Sequence, residues 1–127
     1  MKTTLNALYH QGNDWNRDLD FYVDELAILT KRIELVNKKK PDAKTAAQAE
    51  RFFKKFIKLR EKTDSLKAAL KAREKKIESV IEDHPDQIYA KLKAVNDKLF
   101  ERNEELVKAI AIIRFEFNQF LIKALAK

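Results

Sequence analysis

Two prolines and one glycine are the only strong helix breakers in 127 positions, and their placement constrains the fold more than any other feature. Pro41 and Pro85 are each followed by Asp and divide the chain into three stretches of about forty residues. Proline removes a backbone donor and disfavours helical geometry in the residue before it, yet it is tolerated in a first helical turn. Each Pro-Asp pair therefore reads as the end of one helix and the start of the next. Sheet and loop-rich folds spend far more turn residues than this chain has. All-α is the class that fits.

Within each stretch the apolar residues recur at alternating steps of three and four, the spacing of a coiled-coil seam. The first seam is Leu5, Leu8, Gly12, Trp15, Leu19, Tyr22, Leu26, Leu29, Ile33 and Val36. Gly12 falls in phase, so the helix is expected to continue through it at a cost of about 1 kcal/mol relative to Ala; the alternative is a turn at Gly12-Asn13-Asp14, with Asn13 capping a helix that starts at Asp14. The second seam is Thr45, Ala49, Phe52, Phe56, Leu59, Thr63, Leu66, Leu70, Arg73, Ile77 and Val80, with Thr63 and Arg73 presenting a methyl group and an aliphatic stem. The third begins Ile88, Leu92, Val95, Leu99, Arg102 and Leu106, and continues through Ala109, Ile110, Ile113, Phe117, Phe120 and Ala124. Connections this short reverse the chain. The expectation is a single domain, residues 1–127, folded as an up-down-up antiparallel three-helix bundle of long coiled-coil helices. Its helices span about 4–38, 42–83 and 86–126, and the 3.5-residue repeat implies a left-handed supercoil.

That shape resembles a spectrin-type repeat, a likeness of architecture that transfers no function. Two strings carry a second resemblance: Trp15-x3-Leu19-x-Phe21-Tyr22-x-Asp24-Glu25, and Ala49-Glu50-Arg51-Phe52-x3-Phe56-Ile57. Together they resemble a family of short helical-bundle proteins from Bacteroidetes-type bacteria. In that family a His commonly precedes the matching Phe. Here Arg51 stands in its place, so the resemblance implies no metal ligand there.

Composition excludes most chemistry. The chain has no Cys, so disulfides, thiolate nucleophiles and Cys-held metals are ruled out. One Gly cannot make a phosphate-binding Gly-rich loop, and the two histidines, His10 and His84, lie in no Glu-x-x-His arrangement of the kind a di-iron bundle uses. No catalytic residue, metal or cofactor is expected, and the chain reads as a non-enzyme. His84-Pro85-Asp86 is similar to the loop tripeptide through which J-domain co-chaperones meet their chaperone partner. The preceding segment lacks that family's Tyr-rich, Gly-containing lead-in, however, and the tripeptide reads as helix punctuation. No stretch matches a membrane span or a secretory signal, which suggests a cytoplasmic protein.

Two surfaces remain as candidates. Off-seam apolar residues recur on every helix towards one end of the bundle: Phe21, Ile28 and Leu35 on the first, Phe53 and Ile57 on the second, and Ile112, Phe115 and Ile122 on the third. A stripe of this kind beyond the seam suggests a partner surface, serving a homodimer or another helical protein. The net charge is +7, and the excess sits in the middle segment. There Lys44, Arg51, Lys55, Lys58 and Lys62 share a narrow arc that could track the phosphates of nucleic acid or another polyanion. The functional expectation is a non-enzymatic interaction and oligomerisation module, with polyanion binding as the alternative.

Overall fold

The computed structural model describes the backbone of residues 2–80 and 85–126 and the side chains of 10–76 and 92–126. Three helices follow one another: α1 (Lys2–Lys38), α2 (Ala43–Val80) and α3 (Pro85–Leu125). All three pack against one another. No strand occurs among the described residues. Asn16 bonds Glu74 and Asp20 pairs with Lys67, so α2 runs antiparallel to α1. Glu25 pairs with Arg114 at 2.7 Å and Lys39 reaches the Leu125 carbonyl, so α3 runs parallel to α1. The bundle is up-down-up. The side chains of Leu5, Leu8, Ile77, Val80 and Ile88, and the whole of His84, lie outside the described residues.

The first reversal is built from local hydrogen bonding. Asp42 caps α2, its Oδ1 accepting the Thr45 N–H at 2.8 Å and its carbonyl accepting the Ala46 N–H at 2.9 Å. Pro41 therefore stands before the cap rather than in the first turn. On the other side, Lys39 and Lys40 donate back to the carbonyls of Val36 and Asn37, and Lys40 takes a φ of 48°. This is the left-handed position that closes many helices and that glycine usually fills.

The buried residues follow the 3-4 alternation on all three helices. On α1 they are Trp15, Leu19, Leu26, Leu29, Ile33 and Val36; on α2 they are Ala49, Phe56, Leu59, Thr63, Leu66, Leu70 and Arg73. At the end holding the α1–α2 reversal, Phe52, Phe56, Phe117 and Phe120 form one aromatic cluster. Phe56 and Phe117 meet edge to face with centroids 4.9 Å apart, and Phe52 lies 5.1 and 5.2 Å from Phe117 and Phe120. These separations lie in the favourable range for aromatic pairs.

The first half of α3 corrects the expected seam. Val95 is 44 % exposed and Arg102 is exposed, while Asn96 and Asn103 are buried in the same 4-3 phase between Leu92, Leu99 and Leu106. Apolar counting selects Val95 over its polar neighbour. The fold selects Asn96 because a polar partner waits for it across the core. Arg73 of α2 is 3 % exposed, and its guanidinium donates to Asn96 Oδ1 and lies 5.7 Å over the Trp15 ring. Asn96 in turn donates to Gln11 Oε1 at 3.3 Å. Arg73 thus brings its charged head, and not only its stem, into the interior.

Gly12 makes room for that head: a Cβ at position 12 would collide with Arg73 Nη2 and come within 3.2 Å of Glu74 Oε1. Helix α1 continues through Gly12 without interruption. Leu121, outside the expected seam, is buried at the C-terminal end of α3. Thr63 satisfies its buried hydroxyl by donating to the Leu59 carbonyl at 2.7 Å.

Candidate interaction surface

The stripe on α1 faces outward because its seven-residue recurrence is offset from the seam. Phe21, Ile28 and Leu35 each stand two residues after a buried seam residue, Leu19, Leu26 and Ile33, which turns them about 160° away from it. They are 60 %, 52 % and 48 % exposed. Beside them Glu25 crosses to Arg114, which identifies this as the α1–α3 face. Phe115 and Ile122 stand on the outer crest of α3 at the border of the same face, 66 % and 65 % exposed. Beneath the stripe, Tyr22 meets Phe21 edge to face at 6.0 Å. Burial, aided by Asp18 and Glu25, pushes the Tyr22 hydroxyl above its usual pKa.

The remaining members of the expected partner surface lie elsewhere. Phe53 is half-buried against the core, beside Thr30, Ile33, Glu34 and Asn37 on the α1–α2 side. Ile57, 43 % exposed, stands one turn further along α2 and towards the same side. Ile112 is 59 % exposed and lines the α2–α3 groove with Lys55, Lys58, Lys62, Ala109 and Glu116. The eight residues therefore occupy one end of the bundle but three of its faces. Only Phe21, Ile28 and Leu35 share one face outright, while Phe115 and Ile122, opposite the core on the crest of α3, border that face and the α2–α3 face alike.

The basic arc also resolves into parts. Lys55, Lys58 and Lys62 converge on a depression of about 400 Å³ whose floor includes Leu59, Ala109 and Ile113. Lys44 lies further along the same groove with Asp42, Glu116 and Lys123. Arg51 is exposed without joining either depression. Towards the other end of the groove, Glu61 and Glu105 offset Lys58, Lys62 and Arg102. The concentrated positive charge is thus three lysines on an apolar floor, a narrower site than the helix-long arc.

Two exposed apolar residues escaped the sequence reading. Apolar character alone puts Val95 in the seam, and the 3-4 alternation does not single out Phe100, which is 45 % exposed with its ring 6.1 Å from Trp15. The polar layer around Arg73 left one sequence signal, the phase shared by Gly12, Trp15 and Arg73 on their seams. Burial lowers the Arg73 pKa, with Glu74 opposing the shift. Among the described residues no three His, Cys, Asp or Glu side chains converge as a metal site would require, and no helix is long and apolar enough to cross a membrane.

Compared with protein-family models, curated proteins and solved structures, the chain matches none.

Proposed function

We propose that this protein is a non-enzymatic interaction module that associates with a second copy of itself through the α1–α3 face. The observation that carries this reading is the outward stripe of Phe21, Ile28 and Leu35 beside Phe115 and Ile122. At that end the interior is already filled by Phe52, Phe56, Phe117 and Phe120, so the stripe has no remaining role in the core. Large apolar residues held outward along one face are the usual material of an interface, where aromatic residues carry much of the energy. The proposed location is the cytoplasm, which fractionation would check.

Light scattering at micromolar concentration tests the reading. The expected mass is twice the 14.9 kDa of one chain, retained from low to moderate salt because the contact is mainly apolar. Phe115→Glu places a charge beside the contact and should return the protein to monomer with its helical circular dichroism intact. A wild-type monomer would refute self-association.

A second reading, binding of nucleic acid or another polyanion, is favoured by the convergence of Lys55, Lys58 and Lys62 on one groove. It predicts duplex or heparin binding that collapses with modest salt and weakens in Lys58→Glu. Binding that ignores both changes would remove it.

A further inference from the structure

We propose that the two copies pack antiparallel, α1 across the partner's α1, about a twofold axis passing beside Ile28. This rests on the self-association reading above and fixes its geometry. The exposed stripe is symmetric about its middle member, since Phe21 and Leu35 each stand seven residues from Ile28. An antiparallel partner therefore sets Ile28 against its own copy and Phe21 against the partner's Leu35. The same patch meets itself, as an isologous interface requires.

The charges beside the stripe select this direction. Asp24 and Lys31 lie on one line along α1, four residues before and three after Ile28, within one helical rise of symmetric placement, and both are exposed. Antiparallel packing brings Asp24 to the partner's Lys31, and the twofold repeats the pair. On the other flank Glu25 is already paired with Arg114 of its own chain, so the Asp24–Lys31 pair carries the choice of direction. Parallel packing would turn this flank onto the opposite one, setting Asp24 against the partner's Glu25 and Lys31 against the partner's Arg32, a like-charge arrangement that interfaces avoid.

Helix α3 is compatible with the same axis. Gln11 lies within reach of Asn96, Glu25 of Arg114 and Lys39 of Leu125. These three contacts put residue 28 level with 113–117, so Phe115 stands close to the axis and near its own copy. The strip from Asp14 to Lys38 is about 36 Å long at the helical rise, and two helices are roughly 20 Å wide. That gives roughly 700 Å² per partner, close to the roughly 800 Å² of a stable interface.

The chain has no cysteine, so single-cysteine variants report the geometry directly. Under mild oxidation Ile28→Cys should run largely at twice the chain mass. Phe21→Cys alone should not, whereas Phe21→Cys mixed with Leu35→Cys should link. Asp24→Lys should raise the dimer Kd at least tenfold, and adding Lys31→Asp should restore it. Self-linking of Phe21→Cys as readily as Ile28→Cys would mean a parallel dimer and overturn the proposal. A wild-type dimer in which no α1 cysteine links, or a charge swap that restores nothing, would also overturn it while leaving self-association standing. A wild-type monomer would remove both.

Discussion

Gly12→Ala is the substitution whose sign the structure reverses. At an ordinary position inside a helix, replacing Gly with Ala stabilises by about 1 kcal/mol because the unfolded chain loses conformational freedom. Position 12 is not ordinary, since the new methyl group would occupy the space of the Arg73 guanidinium. That group sits at the end of a flexible side chain and could swing away. Doing so forfeits its bond to Asn96 and its place over Trp15. A hydrogen bond to a charged group is worth about 1.5–3 kcal/mol and a cation–π contact about 0.5–1 kcal/mol or more. The loss of about 2–4 kcal/mol exceeds the gain, so Gly12→Ala should destabilise by about 1–3 kcal/mol in urea or guanidinium unfolding. The control is Arg73→Met, which removes the head and retains much of the apolar volume. In that background Gly12→Ala should stabilise by up to about 1 kcal/mol, a coupling between the two sites of about 2–4 kcal/mol. If Gly12→Ala stabilises the wild type as much as the Arg73→Met variant, the guanidinium yields without cost and the account of the polar layer is wrong.

Further outcomes follow from other parts of the bundle. Lys40→Gly should stabilise by about 0.5–1 kcal/mol, because Lys40 sits at φ 48° where glycine is unstrained; a fall in the denaturation midpoint would contradict this. Leu66→Ala and Leu99→Ala, truncating residues 1 % and 4 % exposed, should each cost about 2–4 kcal/mol. Val95→Ala should cost less than about 1 kcal/mol, and a loss equal to that of Leu99→Ala would restore Val95 to the seam. Tyr22 is held protonated above its usual pKa of 10.0, so the unfolded chain releases this proton first as pH rises. Stability from this group is complete below pH 10 and declines above it. Tyr22→Phe should therefore lose less stability than wild type between pH 9 and pH 11, as read by parallel denaturation curves.

The sequence by itself determined the class, the number of helices and most of the core, because those features rest on local rules. Two Pro-Asp pairs and the near absence of glycine leave long helices as the only regular structure. A 3-4 apolar alternation then marks the buried side of each, as Leu19, Leu26 and Leu29 or Phe56, Leu59 and Leu66 demonstrate. What only the tertiary structure decided is where polarity belongs inside. Asn96 is buried and Val95 exposed because Arg73, on another helix, supplies a partner that no reading of α3 alone contains. Gly12 is explained the same way, by a side chain sixty-one positions distant. The candidate surface divides similarly. The stripes of exposed residues were legible as departures from each helix's own period. Their distribution over three faces depends on how the helices are arranged around one another, which places Ile112 among the α2 lysines and Phe21 beside the Glu25–Arg114 pair.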